Sequence, residues 1–344
     1  MRETMQALVY AAPGELRLER IPVPAIAGDE VLIQVKSCGI CGSDVAGYLG
    51  KTGRRIPPMV MGHEFSGVVA RVGGRVEGLT PGQRVTAQPI RFCGECPFCA
   101  QGRTSLCENQ SMLGVLETNG AMAQYVKAAA KQIVPLPDGV SFDTAALAEP
   151  FAVAYSAVKK GGVAGRTAAV VGTGTIGLMI VAALRMSGAA RIYAMDLLED
   201  KRRFALAMGA DEAFDPTDGE AFSRMLHDTG GGVDAAFEAV GADMSVATAM
   251  NSLRKAGTAV WVGNLTPTVP VNMQQIVTRE LQVRGNFDYT QAGFAEAVGM
   301  MGRTDFSGLI DQVVSLEGAI DAFQRLGSGH FGGIKTVIHI EGGV

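Results

Sequence analysis

The stretch Thr167–Gly177, reading TAAVVGTGTIG, constrains the fold more than any other part of these 344 residues. The apolar run Ala168-Ala169-Val170-Val171 leads directly into Gly172-Thr173-Gly174-Thr175-Ile176-Gly177, and helical spacing follows over Ile176–Ser187. An apolar run closed by glycine reads as a buried strand, and a glycine turn opening a helix reads as one β–α unit. The rhythm repeats. Strands are expected at Arg191–Met195, Val233–Ala239 and Thr258–Val262, and helices at Glu199–Met208 and Asp243–Leu253. Pro150 suits the first turn of a helix that continues over Phe151–Lys160. Such alternation predicts a parallel sheet with helices on both faces, and right-handed crossovers make it doubly wound.

Gly172, Gly174 and Gly177 form a G-x-G-x-x-G, and Asp196 ends the next strand. That context makes a dinucleotide fingerprint of the Rossmann type. The first glycine permits the tight turn, the second lets pyrophosphate approach, and the third lets helix and strand pack. The helix start, with Thr175 and Ile176, offers free N–H groups to the phosphates. Asp196 can accept from both ribose hydroxyls and would repel a 2′-phosphate, while Leu197 supplies no adjacent cation; NAD is therefore expected over NADP. Lys201 can cover the adenosine. The plainer alternative is a tight turn followed by a solvated acidic cap.

Upstream, to about residue 135, the pattern is different. Short strands are expected at Met5–Tyr10, Glu30–Lys36, Phe65–Val72 and Arg84–Ala87, separated by glycine-rich loops that hold all six cysteines. This reads as a β-barrel-like region. Cys93-x2-Cys96-x2-Cys99-x7-Cys107 matches a closed, tetrahedral structural zinc lobe over residues 91–107. Disulfides would need an oxidising compartment, for which no signal is visible. A nucleic-acid zinc ribbon would need more basic residues than Arg91 and Arg103.

Charge excludes further classes. Thirty basic against 34 acidic residues give a net charge of −4, and no block of like charge stands out, so a basic nucleic-acid face is not expected. Trp261 is the single tryptophan, so no stacking platform for bases is visible. The start Met1-Arg2-Glu3-Thr4-Met5 has no apolar core of a secretory signal. The uncharged run Thr167–Leu184 reaches the length of a membrane span, but its glycines and threonines make it strand, turn and helix. A soluble, cytoplasmic protein is expected, with no membrane partner.

A second constellation is mixed. Gly39-Ile40-Cys41-Gly42-Ser43-Asp44 presents a thiol, Gly62-His63-Glu64 an imidazole and a carboxylate, and Glu149 precedes Pro150. One sulfur, one ring nitrogen and one or two carboxylates suit a catalytic zinc with an open position. Singly, each has a plainer reading: Cys41 as a small buried hydrophobe, His63 as a satisfied core histidine, Glu64 and Glu149 as caps. Cys38, without flanking glycines on both sides, reads as packing.

Gly62-His63-Glu64-x2-Gly67-x5-Gly73-x2-Val76, together with Cys41-Gly42-Ser43-Asp44, the four-cysteine lobe, Glu149-Pro150 and the glycine turn, resembles the zinc-dependent medium-chain dehydrogenase/reductase (alcohol dehydrogenase) family over essentially the whole chain. Glu149-Pro150 and the short length resemble its polyol (sorbitol) and threonine dehydrogenase branch. The resemblance implies a GroES-like catalytic domain from residues 1–153 and 291–344, with the structural-zinc lobe, around a Rossmann domain at 154–290. It implies two zinc ions per chain. The catalytic one is held by Cys41 and His63, with Glu64 and Glu149 as exchanging ligands or water holders, and it faces the nicotinamide. Ser43 passes the substrate proton toward solvent, and Val262, Gly263, Asn286 and Phe287 lie along the nicotinamide half. The expected reaction is reversible NAD-linked oxidation of a secondary alcohol, polyol or sugar-like, to a ketone. The alternatives are an amino-alcohol such as threonine, or a non-catalytic zinc- and NAD-binding protein. A homo-oligomer, tetramer or dimer, is implied.

Two positions depart from the family pattern. Ala46 stands where a histidine is common, and Asp288 stands in Phe287-Asp288-Tyr289 where many polyol enzymes carry arginine. His227, His330 and His339 read as structural.

Overall fold

The computed structural model describes residues 3–116, 118–329 and 333–341. Contacts divide the chain into two compact units, Met1–Glu149 with Thr290–Val344, and Pro150–Tyr289. The helix Ala148–Gly161 carries the division.

The first unit is organised by the strand Glu30–Gly39. Eight of its ten residues are buried, which suits a strand lined on several sides. It pairs antiparallel with Glu64–Val72, Tyr125–Ala129 and Lys335–His339. Arg84–Ala87 and Ile133–Pro135 extend the sheet beyond Glu64–Val72, and Ile310–Ser315 extends it beyond Lys335–His339. A smaller sheet joins Thr4–Ala12 to Glu15–Pro22 and Met59–Val60. One core holds Leu8, Val31, Ile33, Val35, Phe65 and Val85 together with Phe323 and Ile338 from the far end of the sequence. Residues after 290 lose the β–α rhythm because they complete this β unit.

The second unit has a six-stranded, all-parallel sheet. Its order is Glu212–Phe214, Arg191–Met195, Thr167–Val171, Val233–Glu238, Leu253–Trp261, Gln282–Gly285. Chain direction around the sheet reverses between Thr167–Val171 and Val233–Glu238. In doubly wound sheets, that reversal opens the ligand crevice at the carboxyl ends of the strands. The fold is the expected one: a GroES-like β unit and a Rossmann-type unit.

Several elements escape the sequence reading. Glu212–Phe214 has only three residues, and Gln282–Gly285 is exposed throughout, so neither shows an apolar pattern. Leu253–Trp261 begins five residues before the expected Thr258, because a register shift and Ala256 at φ +59° interrupt its alternation. Glu15–Pro22, Ile310–Ser315 and the helices Gly42–Tyr48, Gly219–Asp228 and Met273–Arg279 were also unanticipated. Among the described residues, no helix is long and apolar enough to cross a membrane. His227 is exposed on a helix and His339 half-exposed at a strand end. His330 lies outside the described residues.

Candidate active site

Cys41 caps the short helix Gly42–Tyr48. Its Sγ accepts from the Ser43 amide at 3.5 Å and the Ser43 hydroxyl at 3.3 Å, while its own amide reaches Asp44 Oδ2 at 3.4 Å. His63 and Glu64 open the strand Glu64–Val72. Gly62, just before them, has φ +99°, and a Cβ there would stand 2.8 Å from Cys38 Sγ and from Met122 Cγ. Glycine is thus required for the turn that presents the histidine, and Cys38 is its buried packing partner. Gly39 lies opposite Glu64 in register, and a Cβ on it would overlap the Glu64 carboxylate.

The result is convergence. Donor atoms of Cys41, His63 and Glu64 all lie within 4.8 Å of one another. His63 and Glu64 are 4% and 1% exposed, so both are fully withdrawn from water. Glu149, also buried, sits in the first turn of Ala148–Gly161 but outside this tight group. Ser43 is exposed beside Cys41.

Three charged residues that the sequence reading gave no role complete the surroundings. Asp44 is wholly buried, 3.5 Å from His63 Nδ1, and takes Nε and Nη2 of Arg55 at 3.3 and 2.7 Å. Lys335, buried on the strand Lys335–His339, pairs with the Glu64 carboxylate. Burial alone would raise the Asp44 carboxyl, but the His63 ring and then Arg55 hold it down to about 2. Burial likewise opposes a charged His63, yet Asp44 and then Cys41 push it well above its ordinary value. Burial lowers Lys335, and Glu64 and then Cys41 more than offset it. In spite of these ion pairs, His63 Nδ1 and Glu64 Oε2 form no well-angled hydrogen bond. A sulfur, a ring nitrogen and a carboxylate converging within 4.8 Å of one another are a donor set that fits a zinc ion. Asp44 is placed to orient the imidazole, as carboxylates behind metal-bound histidines do.

The four-cysteine lobe is local. Cys93, Cys96, Cys99 and Cys107 sulfurs lie within 4.8 Å of each other, arranged by the turn helices Pro97–Ala100 and Thr104–Leu106. All six cysteines of the chain are free thiols. Amides of Glu95 and Cys96 hold the Cys93 thiol down to about 6, while burial and then neighbouring thiols outweigh the Gly94 amide and push Cys99 up to about 12. Four thiolates cannot coexist there without a cation, and this donor set fits structural zinc.

In the second unit, Gly172 adopts φ +87°, and a Cβ on it would overlap Val240. A Cβ on Gly177 would overlap the Gly172 carbonyl. Asp196 Oδ2 accepts from the Thr173 amide at 2.8 Å and its hydroxyl at 3.2 Å, and Oδ1 accepts from the Leu198 amide at 3.0 Å. The acid is thereby brought onto the glycine turn, which Thr175 and Ile176 continue into the helix Thr175–Met186. Lys201 Nζ stands 4.0 Å from a Cβ built on Gly174, so it overhangs the same turn. Arg202, which the sequence reading passed over, donates from Nη1 to the Asp196 and Leu197 carbonyls, both at 2.8 Å. Val262 and Gly263 amides donate to the Glu238 carbonyl, and Gly263 packs against Val240 and Gly241, joining the same strand ends. Asn286 is fixed by Ser156 and the Val153 carbonyl, Phe287 is exposed, and Asp288 takes φ +47°.

Comparisons with known proteins identify the family. Residues 27–138 match the alcohol dehydrogenase GroES-like domain, and residues 175–303 match the zinc-binding dehydrogenase domain. The chain is 34% identical over 331 residues to sorbitol dehydrogenase of Bacillus subtilis, covering 94% of each. It is 33% identical to the solved 2R,3R-butanediol dehydrogenase of the same organism, with a TM-score of 0.88 and 97% and 99% coverage. An NADP-bound structure from Sinorhizobium meliloti, described as a zinc-binding dehydrogenase, matches at 30% identity and a TM-score of 0.91, covering 98% of this chain and all of that one. With a thiol, an imidazole and a carboxylate converging in one unit and a nucleotide turn in the other, the chain belongs to the zinc-dependent medium-chain alcohol and polyol dehydrogenases.

Proposed function

We propose that the protein catalyses reversible oxidation of a secondary alcohol within a vicinal diol or polyol, with NAD as hydride acceptor: alcohol and NAD⁺ give ketone, NADH and a proton. The convergence of Cys41, His63 and Glu64 within 4.8 Å carries this reading. The names of the relatives, which act on sorbitol and 2R,3R-butanediol, support the substrate class. Ala46 offers no polar side chain toward the amino group of a threonine-like substrate.

Cys41 and His63 would hold the metal, with Glu64 or Glu149 as the exchanging oxygen donor. A zinc ion there supplies Lewis acidity that lowers the pKa of an alcohol hydroxyl. Asp44 keeps His63 in one orientation. Lys335 offsets the charge of Glu64 and steadies it. Ser43, beside Cys41 and open to solvent, takes the hydroxyl proton outward. A second zinc would sit among Cys93, Cys96, Cys99 and Cys107, with a structural role.

Asp196, Lys201, Gly172, Gly174 and Gly177 would hold the adenosine and pyrophosphate, and Val262, Gly263, Asn286 and Phe287 the nicotinamide half. The pinned Asp196 carboxylate favours ribose hydroxyls over a 2′-phosphate, so NAD is the proposed cofactor. We assign residues 1–153 and 291–344 to catalysis and 154–290 to dinucleotide binding. The fully exposed edge strand Gln282–Gly285 supports a homo-oligomer, dimer or tetramer, through pairing with a second copy. The six free thiols support a reducing, cytoplasmic setting.

The test is an NADH-production screen over diols, polyols, sugars and amino-alcohols, with zinc measured on the same sample. Turnover on diols or polyols is expected. Absence of turnover on every alcohol would remove the enzymatic reading.

A further inference from the structure

Arg55 is only 7% exposed, which arginine tolerates only when its donors are paired. Its Nε and Nη2 bond Asp44 Oδ1, and Nη2 also donates to Ser43 Oγ at 3.2 Å. Its stem crosses Gly47, where a Cβ would overlap Arg55 Cγ, so the helix Gly42–Tyr48 is shaped to admit it. A serine hydroxyl has one proton and two lone pairs. Here the proton points to Cys41 Sγ at 3.3 Å and one lone pair is taken by Arg55. One lone pair is left for a further donor, on a rotor that would otherwise sample three wells. The guanidinium does not itself take or give a proton. It acts by holding other groups.

We propose that Arg55 is a positioning residue that couples the proton path to the metal ligand: one guanidinium fixes the Ser43 hydroxyl and, through Asp44, the His63 ring. The proposal rests on the reading of Cys41 and His63 as the alcohol-binding metal site.

The experiment combines Arg55→Met and Arg55→Lys with Ser43 and with Ser43→Ala, in the zinc-loaded protein. Two quantities are read: kcat on the best diol, and the rate at which a chelator extracts the faster-released zinc. With Ser43 present, Arg55→Met is expected to lower kcat about 10–100-fold, and with Ser43→Ala less than about threefold, because contacting residues are non-additive. Zinc release should quicken about tenfold, as for loss of a group that orients a metal ligand. Arg55→Lys keeps the charge without the planar fork, so it should restore zinc retention more than kcat. It also serves in place of Arg55→Met should that variant not fold. Equal losses of kcat in both backgrounds would overturn the proposal, and so would unchanged zinc release. Failure of the underlying reading looks different: the unaltered protein would turn over no alcohol, while the zinc-release comparison would still report on Arg55.

Discussion

The two side-chain clusters of the first unit solve opposite problems. In the lobe, four sulfurs come from residues 93–107, and the backbone amides of Glu95 and Cys96 support the first of them. At the other cluster, the donors come from two places in sequence, Cys41 and the pair His63-Glu64, and two buried cations, Arg55 and Lys335, balance the carboxylates behind and beside them. The lobe sets four like donors around one point. The mixed cluster instead pairs its carboxylates with cations from outside the donor set. Homogeneous ligands make a fastener, whereas unlike ligands with outside counter-charges make a reaction centre.

Substitutions should separate the two. Cys41→Ser or His63→Ala is expected to cut turnover by at least about 10³-fold, since Lewis-acid stabilisation is worth several kcal/mol. NAD affinity by titration should stay unchanged and the lobe should keep its zinc. Retained activity in either variant would break the contrast at its strongest point. Cys107→Ser should act on stability, by on the order of 3 kcal/mol for loss of a structural metal. Turnover per folded molecule should fall less than about tenfold. A larger loss of turnover than of stability would make the lobe part of the reaction.

The nucleotide side gives an intermediate case. Asp196→Ala should weaken NAD binding about tenfold, from loss of charge-assisted hydrogen bonds, and narrow the preference over NADP. Tighter NADP than NAD binding in the unaltered protein would instead give Arg202 the deciding role.

Asp234 supplies the smallest effect and a baseline that belongs to the other unit. Burial raises its carboxyl, but the Thr167 amide and hydroxyl and then Arg254 outweigh that and hold it below the ordinary value of 3.8. Its contribution is therefore present above pH 3.8 and is lost as pH falls through the lower folded value. Asp234→Asn should cost about 1 kcal/mol at neutral pH in denaturant unfolding. The gap to the unaltered protein should close in acid.

Legibility in the sequence followed locality. The strand and turn at Thr167–Gly177 and the four cysteines could be read because each feature lies within one short window. Cys41, His63 and Glu64 could be read as one candidate metal shell from their residue types and glycine-flanked settings, but the contacts that bring them together could not. Their approach depends on register: Gly39 opposite Glu64 in the sheet. Lys335 gave no signal, for it sits in a short apolar strand whose charge makes sense only beside Glu64. Arg55 directly follows Arg54, and nothing in the sequence marks which of the two is buried. Thr173 was read only as a letter inside the glycine motif, though its amide and hydroxyl fix the acid that the motif needs.

The ion pair between Lys335 and Glu64 also sets a timetable. Glu64 leaves the ribosome with the first β strands, but its counter-charge waits until the entire parallel-sheet unit between them has been synthesised. Until then the carboxylate lacks its ammonium partner and the central strand Glu30–Gly39 lacks one neighbour. The final charge balance around Glu64 is thus reached late in biogenesis, whereas all four cysteines of the lobe are present as soon as residue 107 emerges.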